Sequence, residues 1–142
     1  MIELALALTI LAIMVGMGAP KFARVMNSSR VSRSAAILAS DMERAFTLAA
    51  RYRRPMRISC VCSTATYAVA DRTGGTVRLT RRLQDKDLGY MTLTWVNPPG
   101  VGTVVDVFPS GVSTAPLQLR ITSGSSTKMI TVSTAGQVRI VP

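Results

Sequence analysis

The sequence opens with MIELALALTILAIMVGMGAP, residues 1–20, and this stretch decides the fold. It is apolar almost throughout, and Glu3 is its one charged side chain. About eighteen helical residues rise roughly 27 Å, which is close to the thickness of a bilayer core. No basic residue precedes the stretch, as one would in a secretory signal peptide, and a helical pattern continues beyond it. We therefore predict a retained helix that begins in a membrane or against copies of itself.

Two features of this stretch are unusual in an apolar helix. A carboxylate such as Glu3 near the bilayer interior is costly unless it is paired, and an N-terminal amine such as that of Met1 is the nearest candidate partner. The alternative is an unpaired side chain that reaches the headgroups. At the other end, Gly16, Gly18 and Pro20 lie within five residues, and both residue types are poor helix formers. We expect the helix to kink or loosen there.

The helical pattern resumes after this point and ends before Pro55. Small and apolar residues recur at steps of three and four and predict one buried helix face; they are Phe22, Val25, Met26, Ser29, Ala35, Leu38, Met42, Ala45, Ala49 and Tyr52. The helix would have about 50 residues and measure ~75 Å, more than one small domain can cover. The chain is therefore divided into an apolar helix segment (1–20), an amphipathic continuation (21–55) and a globular β domain (56–142).

From Met56 apolar residues recur at every second position and β-branched residues become frequent. Both features are typical of strands. Clusters of Gly, Pro, Asn, Asp and Ser separate eight candidate strands, at 57–62, 66–70, 76–82, 91–96, 103–108, 117–122, 128–133 and 137–141. This spacing predicts a small antiparallel sandwich or a pair of sheets. The fold class is thus α+β, with the amphipathic half of the helix packed on one sheet.

The composition argues against an enzyme. The chain has no histidine, which removes Ser-His-Asp and Cys-His machinery and imidazole metal ligands. Asp85 and Asp87 lie two apart in a polar stretch, which is more typical of a turn than of an acid/base pair. The sequence has no phosphate-binding loop, dinucleotide fingerprint or metal-ligand cluster. We predict neither a catalytic site nor a cofactor or metal.

Cys60 and Cys62 are the only cysteines. Residues two apart on a strand point to the same face, and closing a disulfide between such near neighbours normally strains the backbone. We therefore expect two small apolar side chains on one sheet face. A bond to another subunit is the alternative, since an exported domain meets an oxidising compartment.

The charge is strongly positive, with 17 Lys and Arg against seven Asp and Glu and a formal net charge of +10. A charge of this sign attracts nucleic acid, anionic lipid or acidic polymer, and the alternative is a solvated surface that keeps the domain soluble. Arginines cluster at the helix end and in one predicted strand. These candidate anion-binding residues are Arg51, Arg53, Arg54, Arg57, Arg78, Arg81 and Arg82.

Both ends of the chain resemble the type IV pilin superfamily, in particular its minor-pilin and pseudopilin branch of the GspH/FimT type. The N-terminal resemblance lies in Met1-Ile2-Glu3-Leu4 and in Pro20, at the spacing that the superfamily shows. The C-terminal resemblance lies in Phe108-Pro109-Ser110-Gly111 and in the hairpin pattern from Ile130 through Gly136 to Ile140. Residues 63–103 carry no motif that points to this superfamily.

The resemblance implies a structural subunit of a type IV pilus or a type II secretion pseudopilus. Such a subunit polymerises through its N-terminal helix, and Glu3 would pair with the N-terminal amine of a neighbouring subunit and set the register. The helix would lose order near Pro20. Other pilins and an inner-membrane assembly machinery would be the partners. The superfamily's leader peptide is cleaved and the new N-terminus methylated, so we expect this chain to be the mature form.

The resemblance also implies a location and an alternative. The subunit would reside in the bacterial inner membrane as a single-pass protein before assembly, and in an extracellular or periplasm-spanning filament afterwards. The alternative function is that of a minor pilin that binds DNA for natural transformation through its basic surface. The C-terminal tail argues against this alternative, because Arg139 is the one basic residue from Gln137 to Pro142.

Overall fold

The computed structural model describes residues 2–84, 90–99 and 104–142, and of residues 4, 5 and 12–20 it describes the backbone alone. One helix precedes eight strands, in the order α1 (Ile2–Tyr52), β1 (Met56–Val61), β2 (Thr66–Asp71), β3 (Val77–Arg82), β4 (Thr92–Asn97), β5 (Val104–Val107), β6 (Leu117–Ser123), β7 (Ser126–Val132) and β8 (Val138–Val141). The predicted α+β fold is confirmed, and each predicted strand is present within two residues of its expected bounds. The turn predicted at Asp85 and Asp87 lies outside the described residues.

The helix is continuous over 51 residues. Its backbone is helical through Gly16, Gly18 and Pro20, so the helix does not loosen there in the isolated chain, and the expected kink stays a prediction. Proline removes one backbone hydrogen bond, and this loss is small against the cooperative ladder of so long a helix. The helix ends where Arg53 adopts a left-handed conformation (φ 51°), and its N–H donates to the carbonyl of Ala50 at 3.3 Å.

No stretch of α1, as far as the structure describes it, is both long and apolar enough to cross a bilayer. The placement of residues 1–20 in a membrane or filament core stays a prediction.

The eight strands form two antiparallel four-stranded sheets. The first has the order β3-β2-β1-β5 and the second the order β4-β6-β7-β8. The helix contacts β6, β7 and β8, and it also reaches β1 and β5 of the first sheet. The predicted packing on one sheet is therefore corrected, because the helix lies where the two sheets meet and closes the core between them. Its buried apolar residues are Val31, Ala35, Leu38, Met42, Ala45 and Ala49.

Two glycine turns of the second sheet mark the part of the helix that the β domain covers. Gly124, in the two-residue turn between β6 and β7, has a φ of +57°, and a Cβ there would lie 2.7 Å from Nδ2 of Asn27. Gly136, between β7 and β8, has a φ of +78°, and a Cβ there would lie 2.9 Å from Cδ1 of Phe46. Asn27 and Phe46 are roughly 28 Å apart along the helix axis. The sheet therefore covers the second half of α1, and every described side chain of the helix before Asn27 is exposed.

The structure joins Cys60 and Cys62 in a disulfide, which corrects the expectation of two free side chains. That expectation assumed one extended strand over both residues. Instead β1 ends at Val61, and Cys62 begins a short 3₁₀ turn (Cys62–Thr64), which ends at Ala65 in the left-handed region. The bend sets the two Cα atoms 5.2 Å apart, within the range that a disulfide spans.

The close approach of Gly136 to Phe46 leads to a prediction. Alanine at Gly136 carries the cost of a left-handed residue, about 1 kcal/mol, and a further cost of about 1 kcal/mol or more from the contact with Phe46. Gly75 is the matched control, because its φ is +64° and nothing lies within 4 Å of its added Cβ. We expect urea unfolding to show a larger loss of stability for Gly136→Ala than for Gly75→Ala. Equal losses would mean that the helix contact contributes nothing.

Candidate assembly face and basic surface

The first half of α1 exposes apolar side chains outside the β domain. Ile2 is 80% exposed and Phe22 69% exposed, although residues of this type are usually buried. The exposed apolar residues of this part of the helix are Ile2, Leu6, Leu8, Ile10, Leu11, Phe22, Val25 and Met26, which we call the assembly face. Single exposed apolar residues are common on protein surfaces, but a run of this length along one helix marks an interface.

The exposed apolar residues just before the β domain lie on the other side of α1 from the residues buried against it. At 100° per residue, Phe22 and Met26 lie about 200° and 160° around the helix from Met42, which is buried against the β domain. They therefore point away from the domain. The sequence-based prediction placed these residues on one face, and it is wrong because the six-residue step from Ser29 to Ala35 turns the helix by about 240°. The helix thus presents one face to its own domain and another to its surroundings.

The predicted register residues lie at the start of this bare segment. Glu3 is exposed in the first turn of α1 and forms no ion pair with any other described residue. Met1 lies outside the described residues. The backbone is helical at Gly16, Gly18 and Pro20. These residues lie between the assembly-face residues at positions 2–11 and those at positions 22–26. The partner predicted for Glu3 belongs to another subunit, so the pairing stays a prediction.

Three of the seven candidate anion-binding arginines have carboxylate partners within the domain. Arg57 Nε donates to Asp106 Oδ1 at 2.9 Å, and Arg54 Nη1 lies 3.4 Å from Asp71 Oδ2. The bond to Asp106 raises the pKa of Arg57. The backbone N–H of Thr73 is the main reason that the pKa of Asp71 lies below its usual range; burial opposes this effect and the bond from Arg54 adds to it. These arginines hold the first sheet together, and their predicted role toward an anion is untested.

The third pair belongs to a buried network that joins the helix to the first sheet. Asp41 is 3% exposed, and its Oδ2 accepts from Arg81 Nε at 2.6 Å and from the hydroxyl of Tyr67 at 2.5 Å. Burial, and then the hydrogen bond to Asp41, raise the pKa of Tyr67 far above its ordinary value. A buried carboxylate is tolerated when both oxygens have donors, as here. This network was not predictable from local sequence patterns because its three residues are far apart in the chain.

The other four arginines of the set lie at the end of the helix and along the exposed edge strand β3. Arg51, Arg53, Arg78 and Arg82 have no carboxylate partner within the described ranges. The guanidinium of Arg78 lies 4.3 Å from the centroid of the Tyr52 ring, and that of Arg51 lies 6.0 Å from it. Tyr52 remains 40% exposed, so the ring and its cations face solvent. We call Tyr52 with these four arginines the basic surface.

The described residues hold no group of three or more His, Cys, Asp or Glu placed to bind a metal ion. The chemistry that the basic surface offers is attraction of anions by guanidinium groups, with an aromatic face beside them. The arginines of the basic surface were predicted from the sequence, whereas Tyr52 was predicted to lie on the buried helix face, and its 40% exposure corrects this. The run Arg51-Tyr52-Arg53-Arg54 was a signal for its place among the arginines.

The raised pKa of Tyr67 predicts a loss of stability at high pH. The folded state keeps the phenol proton, so this contribution to stability is complete below the ordinary tyrosine pKa of about 10 and is lost as the pH rises above it. Tyr67→Phe should lower the free energy of unfolding by about 1–3 kcal/mol at neutral pH. Its stability should then fall less than that of the wild type above about pH 10.

The measurement is urea unfolding from neutral to strongly alkaline pH. Tyr90→Phe is the control, because Tyr90 is 80% exposed and its substitution should leave neutral stability unchanged. Parallel stability curves for the wild type and Tyr67→Phe at high pH would show that the buried phenol does not titrate as its position implies.

A long N-terminal helix that projects from a domain of two antiparallel sheets is the architecture of the type IV pilins and pseudopilins. The type IV minor pilin FimU of Pseudomonas aeruginosa superimposes with a TM-score of 0.63 over 80% of this chain and 90% of that one, at 12% identity. The minor pseudopilin EpsH from the type 2 secretion system of Vibrio cholerae gives a TM-score of 0.57 over 79% and 96%, at 14% identity. The pilin fold expected from the resemblance is thus confirmed.

A second crystal form of FimU gives the same result, with a TM-score of 0.56 at 15% identity over 78% of this chain and 92% of that chain. No protein-family model matches the sequence, and no curated protein matches it either. At these identities the similarity is one of fold.

Proposed function

We propose that the chain is a structural subunit of a pilus or pseudopilus filament, not an enzyme, and that it polymerises through α1. The observation that carries this proposal is the assembly face, whose exposed apolar side chains lie on the part of the helix that precedes the region covered by the β domain. A folded monomer leaves it bare, and only another surface can cover it. The occupant that we propose is the same segment of further copies of the chain, since a bundle of such helices buries every copy's face at once.

The energetics favour such a bundle. Full burial of one Leu, Ile or Phe side chain contributes about 1.5–3 kcal/mol, and association of two proteins costs about 4–15 kcal/mol. Eight such side chains would contribute about 12–24 kcal/mol if all were fully buried, which is comparable with or above that cost. A pair between Glu3 and the N-terminal amine of a neighbour would fix the axial register, because a charge buried without a partner is strongly unfavourable.

The subunit requires an apolar surrounding before it assembles. We propose that residues 1–20 lie in the inner membrane at that stage, with other pilins and an assembly machinery as partners. After assembly the chain would belong to an extracellular or periplasm-spanning filament. The resemblance of both chain ends and the structural similarity to FimU and EpsH support this proposal.

The test of this function is negative-stain electron microscopy of the purified full chain as detergent is removed. We expect thin filaments from the wild type, and none from Glu3→Ala or from the double variant Phe22→Ser/Met26→Ser. Val112→Ser is the control, because Val112 is 48% exposed but lies in the β domain, so this variant should still polymerise. A wild type that stays monomeric without detergent, or a double variant that polymerises normally, would contradict the proposal.

A second candidate function, DNA binding, is favoured by the basic surface. Its four arginines are not neutralised by described carboxylates, and the exposed Tyr52 offers a face on which a base can stack. Such binding would be sequence-independent and would weaken as salt rises, because counterions are released from the phosphates.

The test of DNA binding is a mobility-shift titration at several salt concentrations. Arg51→Gln/Arg78→Gln should weaken binding about tenfold or more at low salt and lower the dependence of log K on log salt by roughly 0.9 for each phosphate that is no longer neutralised. Arg120→Gln/Arg139→Gln removes the same charge from the outer face of the second sheet and serves as control. Equal weakening of DNA binding by both variants would mean that binding depends on net charge alone. It would contradict a specific role of the basic surface.

A further inference from the structure

A cavity of about 390 Å³ lies at the base of the β domain, where the helix emerges from it. Its lining combines one part of the helix with the start of β7 and the end of the chain, through Ser28, Val31, Ser125, Ser126, Thr127, Lys128 and Pro142. The volume is far above the roughly 30 Å³ that one water occupies in the liquid, so a small polar group fits. Neither the assembly face nor the basic surface includes these residues.

The lining offers hydrogen-bond donors without partners of their own. Among the described residues, no side-chain hydrogen bond engages the hydroxyls of Ser28, Ser125 or Ser126. The hydroxyl of Thr127 is paired with that of Thr122 at 3.1 Å. Lys128 is half-buried, and its ammonium forms no ion pair with a described carboxylate. Hydroxyl donors gathered around a lysine favour an anionic ligand with several oxygen atoms.

The helix adds further positive charge at the mouth of the cavity. Lys21 and Arg24 precede Ser28 by seven and four residues, so all three lie along one side of the helix with Val31. Both cations are exposed and have no described ion-pair partner. The side chains that line the cavity include no Asp or Glu, although Pro142 contributes a terminal carboxylate. Lys128, Lys21 and Arg24 outnumber this one negative charge, so the local field is positive and draws anions toward the hydroxyl groups.

We infer that this cavity binds a phosphate group. Phosphate is the common anion whose several oxygens match three hydroxyls and an ammonium, and lysine binds it as a point charge. The group belongs either to free phosphate or to the headgroup of an anionic phospholipid. The lipid source rests on the proposed function, which places residues 1–20 in a membrane. Ser28 then lies about 10 Å beyond Lys21 along the axis, at the depth of the headgroup region.

The site has a consequence for an unassembled subunit. A phosphate held between Lys128 and Ser28 connects the β domain to the helix at the membrane surface, beside the turn where Gly124 approaches Asn27. The domain would then be held in one orientation above the bilayer. Removal of the subunit from the membrane breaks this contact, so binding of a headgroup opposes assembly and favours storage.

The experiment is nuclear magnetic resonance of the isotope-labelled full chain in a neutral detergent, titrated with inorganic phosphate. We expect saturable shifts of the backbone amides of Ser125, Ser126 and Lys128. Lys128→Gln should weaken the apparent affinity about tenfold, since one charge-assisted hydrogen bond is removed. Lys128→Arg should retain most of it. Arg120→Gln, an equal loss of charge on the outer face of β6, should leave the affinity unchanged.

The source of the phosphate is found by repeating the measurement with two kinds of bilayer. Bilayers of phosphatidylcholine alone are compared with bilayers that also contain phosphatidylglycerol. Shifts at the same amides with inorganic phosphate identify a free phosphate site, and shifts with phosphatidylglycerol alone identify a headgroup site. Absence of local shifts in all conditions, or equal affinities for wild type and Lys128→Gln, overturns the inference.

The outcome can be separated from that of the proposed function. Lys128→Gln leaves the assembly face intact and should form filaments under the electron microscope. Filaments without phosphate binding would refute the site and leave the assembly proposal intact. Phosphate binding without filaments would refute the assembly proposal and leave the phosphate site intact.

Discussion

The packing of one face of α1 between the two sheets is the contact on which the rest of the structure depends. Six small or apolar residues from Val31 to Ala49 are buried there, and no other element of the described chain touches both sheets so extensively. Alanines at Ala35, Ala45 and Ala49 let the strands approach the helix closely. The ion pair and hydrogen bond at Asp41 then fix the rotation of the helix relative to the first sheet. The position of the assembly face follows from this rotation, because the helix is continuous over both halves.

The division of the helix separates two tasks that would otherwise compete. Residues from Asn27 to Tyr52 stabilise the domain, and the residues before them are free to contact other molecules. Because Phe22 and Met26 point away from the β domain, a partner helix can approach this part of α1 without contacting the domain. The phosphate site inferred at the base of the domain lies where these two parts meet.

Local sequence patterns predicted most of the fold, and contacts between distant residues account for what they missed. The eight strands were recognisable because turn-forming residues separate them, and the helix because of its long apolar start and the steps of three and four that follow Pro20. The partners of Arg54, Arg57 and Arg81 lie 17 to 49 residues away along the chain, where no local pattern links them. The disulfide was missed because its formation depends on the bend after Val61. The change of helix face was visible in the sequence, but only by counting the angle across the six-residue step.

The exposed edge of the first sheet places a limit on how copies of the chain come together. An unpaired edge strand is a template for pairing with another chain, and β3 is such an edge. It carries Arg78, Arg81 and Arg82 within five residues, and the break in register between Val69 and Ala70 interrupts its pairing with β2. Two such edges repel each other, so continuous sheets between neighbouring domains are disfavoured even at high local concentration. In the proposed filament, domains that do not fuse in this way would stay separate around the helices, and the filament could bend without breaking hydrogen bonds between its subunits.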